Sequence, residues 1–151
     1  MTELVELTYA ECIDLLRSDT VGRIAVHADP YPLVVPVNYR LVEQPGPGRP
    51  AGDAWIAIRT RPGNRIDRAP MFVSFEIDGI DPVHRIGWSV LVAGTLHVVD
   101  DEASEFRTRF DPNPWLDDDR ERWLVIEAAR ITGRQLVAAP TEWAFSVAAY
   151  L

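Results

Sequence analysis

Cysteine is nearly absent from this chain, since Cys12 is the only one among 151 residues. A single cysteine excludes an internal disulfide and a cysteine-rich metal site. No run of about 18 or more apolar residues occurs, so the sequence predicts no membrane-spanning helix. The first residues, MTELVELTYAE, are acidic and lack the basic and apolar segments of a signal peptide. We therefore expect a cytoplasmic protein that does not associate with a membrane.

Several chemical signatures are also missing. The sequence has no Gly-rich phosphate loop and no Gly-x-Ser-x-Gly nucleophile elbow. His27, His84 and His97 lack the spacing of metal ligands, and the acidic run at 117–119 lacks the Gly and Glu of a calcium loop. Cys12 falls on the apolar stripe of a predicted helix, which favours packing over catalysis. We expect no metal site, and no side chain stands out as an acid or base.

The excess of acidic residues limits the classes of ligand that the chain is expected to bind. Asp and Glu outnumber Lys and Arg by 23 to 15, which gives a net charge of −8. Nucleic-acid binding needs a clustered positive surface, so this charge argues against it. A small anionic ligand remains compatible with the sequence where a few arginines converge. The length of the chain suits one domain over 1–151.

The pattern of apolar residues predicts a mainly β protein with short peripheral helices. Thr8 and Glu11 have the spacing of a capping box, which starts a helix that ends near Ser18. Its apolar face comprises Tyr9, Cys12, Ile13 and Leu16. Two further short helices are predicted at 62–69 and 101–110.

Six strands are predicted at 21–27, 33–41, 54–60, 71–77, 87–100 and 123–136. The last of these also fits a helix, but its β-branched residues favour a strand that Gly133 would end. Gly87 and Gly94 are expected bulge or bend points. The remaining segments are expected to be irregular, namely 42–53, 78–85, 111–122 and a tail at 137–151. Consecutive strands without long crossovers predict an antiparallel sheet, and closure into a small barrel would remove its edges.

The strand LVVPVNYRL at 33–41 carries two residues that strands disfavour. Pro36 cannot donate a ladder hydrogen bond, and Asn38 is a poor strand former. Both lie on one face with Val34 and Arg40, whereas the other face is apolar. Pro36 leaves a neighbouring carbonyl free to accept from a ligand. A solvated edge strand and a ligand-lining strand explain this pattern about equally well.

The segment IRTRPGNR at 58–65 is rich in arginine. Arg59 and Arg61 flank Thr60, and Arg65 and Arg68 follow on the predicted short helix, with Asp67 as the only acid among them. Backbone N–H groups at a helix start and Arg side chains both favour anions. We favour an anion site over a merely solvated basic surface. A third segment, GWSV at 87–90, places Trp88 and Ser89 on opposite faces of a strand, where a tryptophan fits a core, an interface or an aromatic ligand.

Taken in order, these motifs resemble a known family. GRIAV, VVPVNY, Thr60 with the following Gly-Asn-Arg, VSFEID, GWSVLVAG and ARITGR occur between Leu7 and Arg134. This order and spacing resemble the pyridoxamine-phosphate-oxidase-like split-barrel flavoproteins, in particular the branch of nitroimidazole-resistance-type proteins. The resemblance implies an FMN-binding split β-barrel and a homodimer with FMN at the subunit interface.

The resemblance also implies which residues bind the cofactor. The phosphate would be held by Arg59, Thr60, Asn64 and Arg65. The flavin ring would lie beside Pro36, Val37, Asn38 and Tyr39, while Trp88 and Ser89 would approach it from the partner subunit.

The implied function is that of a flavin-dependent oxidoreductase with a small-molecule substrate. The segment LVAAPTEWAFSVAAYL lacks the Arg-rich substrate motif of true pyridoxamine-phosphate oxidases, so that activity is not expected. Relatives that bind a deazaflavin suggest a deazaflavin-dependent reductase as one alternative. A non-catalytic flavin carrier or sensor and a ligand-free structural dimer are the others.

Overall fold

The computed structural model of the protein describes residues 2–43, 54–100, 102–116 and 119–138. The described part forms seven strands and two helices, which confirms a mainly β fold. The elements are β1 (Thr2–Leu7), α1 (Tyr9–Ser18), β2 (Val21–Val26), β3 (Leu33–Val42), β4 (Trp55–Thr60), β5 (Met71–Asp81), β6 (Ile86–Val98), α2 (Ser104–Arg109) and β7 (Arg122–Ala138). Neither of these two helices is long and apolar enough to cross a membrane.

Six of the strands close into an antiparallel barrel. The sheet runs in the order β4, β3, β2, β5, β6 and β7, and β7 also pairs with β4. The predicted closed antiparallel barrel is therefore confirmed. β1 was not predicted; it pairs with the second half of β7, from Thr2 opposite Ala138 to Leu7 opposite Gly133. Five of its six residues are exposed, so no buried face marks it in the sequence.

The barrel interior is filled by aliphatic and aromatic side chains, and α1 packs against one end of it. Cys12, Ile13 and Leu16 of α1 are buried as predicted, whereas Tyr9 is 51% exposed. The capping box is present, because Glu11 N donates to Thr8 Oγ1 at 3.2 Å and Thr8 N donates to Glu11 Oε2 at 2.8 Å. The fully buried barrel residues include Ile24, Ile56, Ile58, Phe75, Ile77, Val90, Val92, Leu96, Leu124 and Ile126.

Several local predictions are wrong. The segment 62–69 is not a helix but a series of turns. β5 continues through the expected loop to Asp81, so only 82–85 form the turn to β6. Gly133 does not end β7; a Cβ there would lie 2.7 Å from Cys12 Sγ, so glycine permits the close approach of α1.

The pairing of β6 with β5 and β7 tests the remaining predictions for this region. Gly94 lies at a β-bulge between β6 and β7, as predicted. Gly87 pairs regularly with Ile80 and is not a bulge. The strand assignment of 123–136 is confirmed, and β7 extends to Ala138. Of the expected loop at 42–53, Val42 is still part of β3, and residues 44–53 lie outside the described residues, as does the tail beyond Ala138.

Candidate functional site

β3 changes its pairing partner in the middle, and this opens a gap in the barrel wall. Residues 33–38 pair with β2, whereas Tyr39 to Val42 pair with β4. Beyond the pair Tyr39 and Ile58, the last two residues of β4 separate from β3. Among the described strands, none occupies the second edge of residues 33–38. The gap therefore leaves backbone groups of β3 free of ladder bonds.

The position of Pro36 follows from the direction of these backbone groups. Tyr39 N donates to Thr20 O at 3.0 Å, on the β2 side of the strand. Because antiparallel bonding alternates along a strand, Val37 bonds towards β2 as well, and Pro36 and Asn38 direct their backbone groups to the open edge. The missing N–H of Pro36 thus interrupts no ladder. The open edge presents the Pro36 carbonyl next to the Asn38 N–H.

The carboxamide of Asn38 is oriented by a loop that follows α2. Trp115 N donates to Asn38 Oδ1 at 3.0 Å, so the oxygen of the amide is already used. Its amino group has no partner among the described residues. Trp115 itself is 75% exposed beside this position. The sequence indicated only a loop here, and the contact depends on tertiary packing that no local pattern signals.

The turns after β4 are held by hydrogen bonds to one carboxylate. Asp67 Oδ2 accepts from Gly63 N at 2.9 Å and from Arg122 Nε at 3.2 Å, and Ile66 is buried in the core. The turns are tight, with Asn64 N donating to Arg61 O at 3.1 Å. No helix start is available for an anion, because residues 62–69 form turns and the Gly63 N–H is already bound. The exposed arginine side chains are therefore the candidate anion ligands.

Three arginines of these turns carry uncompensated charge. Arg61, Arg65 and Arg68 are exposed, and no ion pair joins them to any described residue. The one acid among them, Asp67, is directed inward and is 10% exposed. Asn64 lies between Arg61 and Arg65 and is half-buried. The predicted local positive island is therefore present within an acidic protein.

Arg59 differs from these three arginines. Its guanidinium donates to Asp111 Oδ1 at 3.1 Å and to Arg120 O at 3.1 Å, and it lies 5.2 Å from the ring centroid of Trp123. Its charge is thus compensated, on the opposite side of β4 from the barrel interior. The structure does not bring Arg59 into the group of free arginines.

Thr60 supplies an unusual polar atom at the end of β4. The residue is 1% exposed, and its hydroxyl oxygen has no hydrogen-bond partner among the described residues. A buried hydroxyl without a partner costs about 1–3 kcal/mol, so such groups are uncommon unless a ligand satisfies them. Thr60 lies next to the free arginines in the chain, and this combination favours a phosphate ligand.

The other predicted site residues have separate positions. Tyr39 is 1% exposed and donates its hydroxyl to Leu16 O at 2.7 Å, so its side chain belongs to the core. Val37 is half-buried on the inner face of β3. Trp88 and Ser89 lie on β6, which β2 and β5 separate from β3, and they face opposite sides of the sheet. Within one chain these two residues do not join the gap.

Within the described residues, no group of three or more His, Cys, Asp or Glu side chains is arranged to hold a metal ion. The site therefore consists of an open strand edge, an oriented amide, an unpartnered buried hydroxyl and three free arginines. These features and the closed six-stranded barrel define a split β-barrel with an arginine-rich turn after β4. The sequence profile of the pyridoxamine 5'-phosphate oxidase family matches residues 8–135, and the chain belongs to that family.

Comparison with individual proteins agrees with this assignment. The chain is 32% identical to the uncharacterised protein Rv0080 of Mycobacterium tuberculosis over 136 residues, which is 90% of this chain and 88% of that protein. The structure of the FAD binding protein from Mycobacterium smegmatis is similar with a TM-score of 0.61 and 30% identity, over 88% of this chain and 98% of that one.

A candidate 5-nitroimidazole antibiotic resistance protein of Bacteroides thetaiotaomicron shares the fold. The TM-score is 0.65 at 12% identity, over 90% of this chain and 89% of that one. The resemblance inferred from the motifs is confirmed, as is the split-barrel fold.

Proposed function

We propose that this protein binds a flavin nucleotide through its FMN portion and acts as a flavin-dependent oxidoreductase on a small molecule. The observation that carries the proposal is the unpartnered, buried hydroxyl of Thr60 at the end of β4. The free arginines follow Thr60 directly in the chain, and β4 has left β3 by this point. A phosphate group needs several donors, and a flat ring needs an accessible edge. Family membership and the similarity to a protein named for FAD binding support the same ligand class.

The phosphate would be held by Thr60 and Arg65, with Asn64 between them in the turns. Thr60 offers a hydroxyl donor that is otherwise unsatisfied, and Arg65 offers a guanidinium without an ion pair. Arginine binds phosphate with two parallel hydrogen bonds, which gives both strength and orientation. Arg59 would contribute by fixing the end of β4 through Asp111 rather than by touching the phosphate.

The ring would meet the open edge of β3. The pyrimidine side of a flavin presents one N–H between two carbonyl oxygens. The Pro36 carbonyl can accept from that N–H, and the Asn38 N–H can donate to a neighbouring oxygen. The free amino group of the Asn38 side chain supplies a second donor, because Trp115 occupies its oxygen. Recognition of the flavin ring would therefore explain why positions 36 and 38 hold residues of low strand propensity.

A bound flavin supplies electron and hydride transfer, and the chain supplies binding, orientation and exclusion of water. No described side chain near the gap stands out as an acid or base. This arrangement fits direct hydride transfer between the cofactor and a substrate. A deazaflavin offers similar edges to the protein and remains the alternative cofactor.

We further propose a homodimer formed through the outer face of β2, β3, β5 and β6. Val34, Phe72 and Leu91 are 62%, 86% and 43% exposed on this face. Phe72 also lines a shallow cavity of about 410 Å³, together with small residues such as Ala25 and Ala93. Large exposed apolar side chains that cluster on one face mark interaction surfaces. A second copy on this face could carry its Trp88 and Ser89 towards the flavin.

The binding proposal is tested by titrating the protein with FMN, riboflavin and a deazaflavin cofactor while flavin fluorescence is followed. We expect FMN to bind at least about tenfold more tightly than riboflavin, because only FMN carries the phosphate. Equal affinity for FMN and riboflavin would remove the phosphate assignment. If the deazaflavin binds more tightly than FMN, the deazaflavin is the cofactor instead.

The dimer is tested by sedimentation of the wild type and of Phe72→Asp. We expect a dimer for the wild type and a monomer with weaker flavin binding for the variant. A monomeric wild type that binds FMN would refute the dimer proposal while leaving the ligand proposal intact.

A further inference from the structure

The loop that follows α2 bridges the two strands beside the gap. Asn38 on β3 and Arg59 on β4 are the first residues past the end of the pairing between these strands. Arg59 Nη1 donates to Asp111 Oδ1 at 3.1 Å. Trp115 N donates to Asn38 Oδ1 at 3.0 Å. Residues 111–115 therefore connect the two sides of the gap, and we call this segment the strap.

The backbone of the strap is restrained along its length. Pro112 and Pro114 each fix one φ angle. Asn113 lies between them in the left-handed region, with a φ of 50°, and its N–H donates to Asp111 Oδ1 at 2.9 Å. The carboxylate that accepts from β4 thus also holds the turn of the strap. Trp115 follows this turn directly, so its position relative to the gap is fixed from both ends.

The side chain of Trp115 lies outside the core, on the outer side of β3. It is 75% exposed, whereas Tyr39, the neighbour of Asn38 on the inner face, is buried. Side chains alternate along a strand, so the Asn38 amide that binds the Trp115 N–H projects outward. A flat ring bonded to the open edge lies roughly in the plane of the sheet, as an added strand would. The outer face of such a ring is on the same side of β3 as the indole, where an aromatic side chain can stack on it.

We propose that Trp115 stacks on the outer face of the bound flavin ring and that the strap holds it there. The proposal rests on the proposed function and deepens it, since it adds a ring-binding residue to the site. Trp115 touches the cofactor, whereas Asp111 and Arg59 are positioning residues that act through the strap. Stacking involves the ring alone, so this contact is independent of the phosphate held by Arg65.

The test measures the affinities for FMN and riboflavin by equilibrium dialysis, and the fluorescence of the bound flavin, in the full chain. Trp115→Ala should weaken both ligands by at least about fivefold, the low end for one stacked heterocyclic base. The ratio of the two affinities should stay unchanged, because both ligands carry the same ring. Trp115→Phe should keep most of the affinity yet leave the bound flavin more fluorescent than in the wild type. An indole stacked on a flavin quenches it by electron transfer, and a phenyl ring does not.

Two further variants separate the strap from the stacking residue. Asp111→Ala removes the acceptor of both Arg59 and the Asn113 N–H. It should weaken FMN and riboflavin equally, by less than Trp115→Ala does, and should also raise the fluorescence of the bound flavin. Leu116→Ala is the matched control, because Leu116 is 63% exposed next to Trp115. It should change neither affinity nor fluorescence.

The outcomes separate this inference from the proposed function. If neither flavin binds the wild type, the proposed function fails and the stacking assignment fails with it. If the wild type binds FMN but the bound flavin is equally fluorescent in the wild type and in Trp115→Phe, the binding proposal stands and the stacking assignment is overturned. This comparison holds even if Trp115→Ala does not fold. An exposed tryptophan also suits a subunit interface, so a monomeric Trp115→Ala protein with unchanged riboflavin affinity would overturn the assignment as well.

Discussion

The two halves of β3 lie in one strand yet have opposite surroundings. Residues from Tyr39 to Val42 pair with β4, and three of these four are buried. Residues 33–38 pair only with β2 among the described strands, and none of them is fully buried. The same backbone geometry therefore closes the barrel in one half and opens it in the other.

This difference shows that the gap forms because β3 changes its pairing partner, and not because strand-disfavouring residues disrupt the sheet. Pro36 does not break the sheet, because its nitrogen faces the edge that is already open. The gap arises where β4 separates from β3 after Ile58 and turns away through its arginines. The closed half should thus govern stability, and the open half should govern ligand binding.

The largest effect is expected from the closed half. Ile58→Ala removes a side chain that is 0% exposed and should lower the free energy of unfolding by about 2–5 kcal/mol. Val35→Ala, in the half-buried open half, should cost only about 1 kcal/mol. Urea denaturation of both variants measures these values. Equal losses would show that the two halves contribute alike to stability.

Ligand binding should give the second largest effect. Arg65→Gln should weaken FMN binding by about 1.5–3 kcal/mol, because a charge-assisted hydrogen bond to phosphate is lost. Its unfolding free energy should change by less than about 0.5 kcal/mol, since Arg65 is exposed and unpaired. Titration with FMN and riboflavin should show that the variant no longer distinguishes the two. An unchanged FMN affinity would exclude Arg65 as a phosphate ligand.

Tyr39 lies at the boundary between the halves and sharpens the comparison. Tyr39→Phe removes the donor to Leu16 O, a carbonyl in the last turn of α1, and leaves it unsatisfied. We expect a loss of about 1–2 kcal/mol in unfolding free energy and no change in flavin affinity. Thermal denaturation and titration of the same sample measure both. A specific loss of flavin binding would move the Tyr39 side chain into the site.

The smallest expected effect is a pH dependence of the unfolding free energy that comes from Glu76 on β5. Burial raises the pKa of Glu76, the carboxylate of Asp78 raises it further, and Arg23 lowers it. Since the pKa in the folded state lies above the unfolded value of 4.5, ionised Glu76 destabilises the fold at neutral pH. This penalty disappears as the pH falls through the raised pKa.

Glu76→Gln should therefore raise the unfolding free energy at pH 7 by less than about 1 kcal/mol and have no effect at a pH well below the unfolded pKa of 4.5. Urea denaturation at both pH values, in the Phe72→Asp background that is expected to be monomeric, measures this. A stabilisation that persists at acidic pH would refute the electrostatic explanation.

Much of the barrel could be predicted because its signals are local. Alternation along β3 and β5 assigned their inner and outer faces, and the Thr8 capping box located α1. The unpredicted parts depend on contacts distant in the chain. β1 exists because β7 pairs with it, and the turns at 62–69 form because Asp67 binds the Gly63 N–H and Arg122.

For the candidate site as well, the sequence predicted the features with local signals and missed those that depend on distant contacts. Arginine content identified the turn, and the irregular residues identified the edge of β3. Sequence did not separate Arg59 from the other arginines, because its partners Asp111 and Trp123 lie more than fifty residues away in the chain. Nor did it show which edge Pro36 faces, since that depends on the hydrogen-bonding register with β2.

β7 pairs with β1, β4 and β6, and it is also the last strand of the described chain. The cylinder cannot close until this strand has been synthesised, so a ribosome-bound nascent chain remains an open curved sheet with two bare edges. Such edges invite pairing between chains. Protection of the growing polypeptide, by speed of translation or by a chaperone, therefore matters most just before Arg122 to Ala138 emerge.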